Sequence, residues 1–212
     1  MDINQTIANY SKQPITRQLL KSWLKDYKRP NDKISALKSE GLLTSVKRGI
    51  YIAGLKSYGG RPENPLLANH LHGPSYLSTD SALSFHGIIP ERVYSVTSMK
   101  IKTSRDFDTP IGLFTYIHLP LPYYTFGINM VRLTSEQYAM IASPEKAICD
   151  KIVNTSGLIL RSISGAGNYL FDNLRMDEEV LKALNVQMIK EWLPDAPKKE
   201  SLNFVIKLIE SL

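Results

Sequence analysis

The order of local patterns in residues 1–62 constrains the fold more than any other feature of this chain. Three helical stretches come first: residues 2–10, a second stretch that Thr16 is placed to cap, and residues 32–40, which Asn31 is placed to cap. Arg29-Pro30 breaks the helical pattern between the second and third stretches. Gly41 stands where a left-handed residue ends a helix. The pattern therefore predicts three consecutive helices.

Two short β-type stretches follow, residues 43–46 and 50–52, joined by Lys47-Arg48-Gly49 as a tight turn in which Gly49 takes a positive φ. Three helices and a basic hairpin in this order are typical of a winged helix-turn-helix. We predict that residues 1–62 form such a domain within an α+β protein.

Positive charge is concentrated in the same segment. Residues 1–62 hold twelve basic and four acidic residues, a net charge of +8, whereas the rest of the chain carries −2. A segment this basic favours a polyanionic partner such as double-stranded DNA, and a basic solvated surface is the alternative. Winged helices also serve as protein-binding modules.

Helical geometry assigns roles within the predicted third helix. With Ile34 and Leu37 facing inward, one face is free to contact base edges and its flanks can contact phosphates. The candidate base readers are Asn31, Asp32, Ser35, Ala36 and Ser39. The candidate phosphate and minor-groove contacts are Lys28, Arg29, Lys33, Lys38, Lys47 and Arg48. The base-reading set lacks a central arginine, so we expect a homodimer on DNA, or repeated sites, to supply further specificity.

The remainder predicts a second α+β domain over residues 63–212, with a small, mainly antiparallel sheet and a helical C-terminal part. Residues 55–64 are rich in Gly, Pro and polar residues and predict a linker. Ser143-Pro144-Glu145 predicts a strong helix start. The SGAG stretch at residues 164–167 lacks the spacing of a phosphate loop and predicts a flexible turn.

Several classes of function find no support in the residues. No apolar run reaches the roughly 18–20 residues of a membrane span, and the N-terminus has no signal-peptide pattern. The single cysteine, Cys149, excludes an intrachain disulfide and a cysteine-cluster zinc site, which favours a cytoplasmic location. We expect no catalytic residues, no metal and no cofactor. Asp106, Glu145 and Lys146 are the residues from which a metal-dependent nuclease would be built, but their spacing does not fit one.

Two stretches carry a family resemblance. PSYLSTDSALSFHGIIPERVYSVTS, residues 74–98, and ASPEKAICDKI, residues 142–152, resemble the AbiEi family, the antitoxins of type IV toxin–antitoxin systems of abortive infection. The N-terminal part, ending in KRGIYIAG, is similar to the winged-helix domain of that family. The resemblance covers about residues 1–175.

The resemblance implies a division of labour. The winged helix would bind promoter DNA and repress its own operon, while the second domain would oppose a nucleotidyltransferase-like toxin without a stable complex. It supplies no catalytic residues. We expect Arg92, Lys146 and Lys151 to be exposed on the face that carries antitoxin activity. The alternative is a winged-helix transcriptional regulator whose second domain senses a small ligand, with Tyr116, Tyr123, Tyr124 and Phe126 lining its pocket.

Overall fold

The computed structural model describes residues 2–212 and shows a mixed α+β fold. The helices are α1 (Ile3–Asn9), α2 (Arg17–Trp23), α3 (Pro30–Ser39), α4 (Asn64–Leu71), α5 (Thr79–Phe85), α6 (Pro144–Asn154), α7 (Ile163–Gly167), α8 (Glu178–Lys182), α9 (Val186–Trp192) and α10 (Lys199–Ser211). The strands are β1 (Ile15–Thr16), β2 (Leu43–Lys47), β3 (Ile50–Ala53), β4 (Ser75–Leu77), β5 (Val96–Lys100), β6 (Arg105–Thr109), β7 (Gly112–His118), β8 (Ile128–Arg132) and β9 (Tyr138–Ala142).

Local signals in the first third of the chain form the elements that they predict. Thr16 caps α2, its hydroxyl accepting a hydrogen bond from the Leu19 amide at 3.2 Å. Gly49 turns the β2–β3 hairpin with φ +88°, a conformation that costs glycine little because it has no Cβ. Strand β3 lies between β1 and β2 in an antiparallel three-stranded sheet.

Helix α3 begins two residues earlier than predicted. Pro30 occupies its first turn, where the missing N–H costs nothing, and Arg29 is the flanking residue. Asn31 therefore lies inside the first turn rather than at the cap, and its side chain is free for another partner. The inward positions are as predicted, because Ile34 and Leu37 are both buried.

The second sheet is larger than predicted and is mixed. Its six strands run in the order β6-β7-β5-β4-β9-β8, with β4 parallel to β9 and β5 parallel to β7. Strand β7 inserts between β5 and β6, and β9 inserts between β4 and β8. These insertions create the two parallel pairs, while the other three pairs are antiparallel, so the sheet is mainly antiparallel as predicted but is not small.

Helices cover both faces of this sheet. The register places Tyr76 opposite Met99 and Tyr116 opposite Ser98, so the two tyrosines project from opposite faces. The Tyr116 hydroxyl donates a hydrogen bond to Ala68 O of α4 at 2.6 Å. Tyr76 donates to a side chain of α6 on the other face. The two helices thus lie on opposite sides.

Two apolar clusters meet at the β2–β3 hairpin. The smaller one lies among α1, α2, α3 and the first sheet, and the larger one extends over the rest of the molecule. Leu43 and Ala53 of the hairpin belong to the smaller cluster, whereas Val46 and Ile52 belong to the larger. The hairpin therefore contributes buried residues to both clusters. The predicted division at residue 62 stays a prediction.

Candidate nucleic-acid interface

Arg17 brings three elements of the first third together. Its amide, at the start of α2, donates to Gly49 O in the hairpin turn at 2.8 Å. Its guanidinium donates to Asn31 Oδ1 in the first turn of α3 at 3.0 Å. The start of α2, the start of α3 and the tip of the hairpin therefore lie side by side. We name this end of the molecule the α3 end.

The predicted outer face of α3 is exposed at most positions. Asn31, Asp32, Ser35, Lys38 and Ser39 are exposed, and Lys33 and Ala36 are half-buried. The Ser39 hydroxyl is already used, since it donates to Ala36 O at 2.8 Å. Arg29 and Asp32 form an exposed ion pair at 3.8 Å, which is weak in water and open to exchange for a phosphate.

The α3 end is rich in exposed cations. Lys28 and Arg29 precede α3, Arg48 stands at the hairpin tip, and Arg17 and Lys21 lie on α2, all of them exposed. Arg17 is absent from the predicted contact set. The sequence feature that could have indicated Arg17 is its position directly after the capping Thr16, which places it in the first turn of α2.

Lys47 requires a correction. Its ammonium donates to the Leu71 carbonyl at the end of α4 and lies 4.9 Å from the centre of the Phe107 ring. Burial lowers the pKa of this lysine, and the positive charge of the nearby Arg105 lowers it further. Lys47 therefore turns toward the second sheet, whereas Arg48, in the turn after β2, is exposed. It is not placed as a free DNA contact.

The second-domain residues expected on one surface are separated. Arg92 is exposed and lies over the Tyr94 ring, 5.6 Å from its centre. Lys151 is half-buried and binds Asp80 Oδ2 at 2.7 Å. Lys146 is fully buried, so its predicted surface position is wrong. Its ammonium lies 3.0 Å from Asp150 Oδ1, a carboxylate one helical turn away that draws the charge inward.

Lys146 belongs to a closed polar network. It also donates to Tyr123 O at 2.9 Å and stacks on that ring. Asp150 Oδ2 accepts from Tyr76 at 2.9 Å and from Ser78 at 2.7 Å. Burial lowers the pKa of Lys146 and raises those of Tyr76 and Tyr123. The carboxylate and the ammonium are buried, so this network holds the fold together and offers no face to a substrate.

The residues considered for a nuclease do not converge. Asp106 is exposed on the edge strand β6. Glu145 accepts a hydrogen bond from the Asn185 amide at 2.9 Å, at the start of α9. Lys146 is enclosed beneath Tyr123. These three side chains therefore form no common site.

The aromatic residues proposed to line one pocket pack in different places. Tyr116 contacts His72 and Phe107, Tyr124 contacts Tyr76, and Phe126 stacks on Trp192. A cavity of about 440 Å³ lies elsewhere, between the hairpin and the β6–β7 turn, with Ile52 and Ile111 in its lining. The predicted aromatic pocket is thus not formed.

Comparison with known proteins shows a similarity in fold to a solved structure. No family model matches the chain, and no curated protein matches it. Among solved structures it is similar to the crystal structure of RV2827C protein from Mycobacterium tuberculosis. That match has a TM-score of 0.67 at 11% identity and covers 98% of this chain and 75% of the other. At this identity the likeness shows a shared fold. Within residues 2–212 no helix combines the length and apolar character that crossing a membrane requires.

Proposed function

We propose that this protein is a DNA-binding transcriptional autorepressor whose first 62 residues form a winged helix-turn-helix. The observation that carries the proposal is the α3 end, where Arg17 joins α2, α3 and the hairpin tip. The order of three helices and a final hairpin, with β1 completing a three-stranded sheet, supports it. In this arrangement α3 enters the major groove and the β2–β3 hairpin is the wing.

The side chains at the α3 end divide by role. Asn31, Asp32 and Ser35 are polar and exposed at the start of α3, where a recognition helix contacts base edges. Arg17, Lys28, Arg29, Lys33, Lys38 and Arg48 surround them and would contact phosphates. Few residues read bases directly, so a homodimer on DNA or repeated sites would provide further specificity.

We further propose that the second part acts as the antitoxin of a type IV system, opposing a nucleotidyltransferase-like toxin. This step rests on the resemblance of residues 74–98 and 142–152 to the AbiEi family. The two stretches support each other physically, because Tyr76 and Ser78 of the first bind Asp150 of the second. Its test is co-expression with the product of the neighbouring gene. A growth defect that this chain lifts would support the proposal, and a defect that persists would refute it.

The repressor proposal is tested by fluorescence anisotropy of the full chain on the duplex upstream of its own gene. We expect tight binding to that duplex, weaker binding to a scrambled duplex, and a strong decrease with salt. Arg17→Ala and Arg48→Ala should each weaken binding and reduce the salt slope by about one, since each removes one phosphate contact.

Arg161→Ala is the matched control, because Arg161 is exposed and lies in the second part of the chain. It changes the net charge equally and should leave the salt slope unchanged. Equal and weak binding to both duplexes, or equal effects of all three variants, would refute the assigned interface. A protein-binding role for the winged helix would then be favoured.

A further inference from the structure

Cations gather where the hairpin meets the second sheet. Lys47 from β2 and His72 at the end of α4 lie against the β5–β6 corner. That corner contributes Lys100, Lys102 and Arg105. We name these five residues the junction cluster. They come from three separate parts of the sequence, and four of them are lysine or arginine.

The centre of the cluster is held tightly. Lys100 is 2% exposed, and its ammonium contacts His72 Nε2. Phe107 lies under two cations, with Lys47 4.9 Å and Arg105 5.0 Å from its ring centre. Lys47, Lys100 and Arg105 are therefore each held in position by an aromatic ring or a hydrogen bond.

In the part of the chain that the structure describes, no carboxylate pairs with these cations. Of the ion pairs found within residues 2–212, none involves a member of the junction cluster. Alternation along β6 directs Asp106 and Asp108 to the face opposite Arg105 and Phe107. Burial and mutual repulsion lower the pKa values of His72, Lys100 and Lys47. The cluster is thus a positively charged group without an acidic partner among residues 2–212.

The cluster continues the surface already assigned to DNA. Lys47 is adjacent to Arg48, the cation at the tip of the proposed wing, and its contact with Leu71 holds the hairpin base against α4. Beyond it, Lys102 and Arg105 are exposed on the β5–β6 corner. A line of cations therefore runs from the α3 end, past the hairpin, onto the second sheet.

We propose that the junction cluster binds backbone phosphates of the duplex just beyond the wing, so that the second sheet extends the DNA footprint. This inference rests on the proposed function and deepens it. Lys102 and Arg105 make the phosphate contacts, while Lys47 and Lys100 supply positive potential from behind and His72 holds the Lys100 ammonium in place. A duplex backbone fits because it offers successive phosphates along such a line.

The test uses the full-length double variant Lys102→Ala/Arg105→Ala on the upstream duplex. Both side chains are exposed, so the fold should be retained, and circular dichroism checks this. We expect the affinity to fall on the order of tenfold or more at moderate salt and the salt slope to fall by about two. The charge-matched control Arg161→Ala/Lys207→Ala should change neither. A single Lys102→Gln variant, with about half the effect, serves if the double variant misfolds.

A second arm separates a DNA backbone from a small anion. The imidazole resonances of His72 are followed by NMR with the duplex and with inorganic phosphate at matched ionic strength. A shift with the duplex alone supports the proposal. An equal shift with inorganic phosphate, or an unchanged slope in the double variant while the wild type binds DNA, overturns this inference only. No DNA binding by the wild type overturns both this inference and the proposed function.

Discussion

At the scale of single residues, the most informative side chain is Lys146. Its charge is buried and satisfied by Asp150, by a carbonyl and by the face of Tyr123. Removing one member of a buried pair leaves the other without compensation. Asp150 also joins α6 to Tyr76 of β4 and to Ser78 directly after it, so loss of the pair should weaken that contact.

We expect Lys146→Met to lower the free energy of unfolding by about 3–5 kcal/mol, because Asp150 would be left buried without its cationic partner. Urea unfolding followed by circular dichroism measures the change. The control Lys151→Met breaks the half-buried pair with Asp80 and should cost about 1 kcal/mol or less. Adding Asp150→Asn to Lys146→Met should recover part of the loss. Equal costs for Lys146→Met and Lys151→Met would contradict the assigned network.

Cys149 predicts a dependence of stability on alkaline pH. Burial raises the pKa of this thiol to about 12, above its ordinary value of 9.0. Between these values the unfolded chain loses the proton and the folded chain keeps it, so stability falls as the pH rises above 9. The loss attributable to Cys149 from pH 8 to pH 10 should be about 1 kcal/mol. Urea unfolding of wild type and Cys149→Ala at both pH values gives this difference, and identical pH dependence would contradict it.

At the scale of elements, short-range signals predicted best. Thr16 and Ser143 both cap the helices that they were expected to start, since capping needs only neighbouring residues. Contacts distant in sequence escaped prediction. The hydroxyl of Ser78, the residue before α5, makes no cap bond to that helix and instead binds Asp150, 72 residues away. The SGAG stretch forms helix α7, which Ser162 caps and which packs against the distant α10.

The candidate site divides in the same way. The exposure of Arg48 and of the α3 face followed from helix and hairpin geometry within a few residues. The direction of Lys47 depends on Leu71 and Phe107, and the burial of Lys146 depends on Tyr123. No pattern within the first hairpin or within α6 indicates those partners, so sequence reasoning assigned both lysines to surfaces.

The hairpin predicts separate effects for two adjacent residues. Lys47→Ala removes the contact with the Leu71 carbonyl, so amides of β2 and β3 should exchange with solvent faster, on the order of tenfold. Hydrogen exchange measured by NMR reports this. The Arg48 side chain makes no such contact, so Arg48→Ala should leave the exchange rates unchanged. Equal protection in wild type and Lys47→Ala would show that the hairpin is held by its apolar residues alone.

At the scale of the whole molecule, the hairpin couples the two apolar clusters. Val46 and Ile52 are buried in the larger cluster, while Leu43 and Ala53 are buried in the smaller. Because the hairpin contributes buried residues to both clusters, its unfolding together with one cluster would expose apolar residues of the other. The cationic line from the α3 end to the junction cluster depends on the same segment, because Lys47 and Arg48 lie at its turn.

The shared hairpin predicts a single cooperative unfolding transition. Trp23 packs on the smaller cluster and Trp192 lies in the larger, so each reports on one of them. In Trp23→Phe and in Trp192→Phe, the fluorescence of the remaining tryptophan and the circular dichroism should change at the same urea concentration. Two separated transitions would instead show that residues 1–62 unfold as an independent domain.

The central claim is that the α3 end binds DNA. An amide NMR titration of the full, ¹⁵N-labelled chain with the duplex upstream of its own gene tests it most directly. The largest shifts should fall on Arg17, Asn31, Ser35, Arg48 and Gly49, with smaller ones on the β5–β6 corner. Shifts confined to residues far from these positions would contradict the claim. The absence of shifts with both the upstream duplex and a scrambled duplex would contradict it as well.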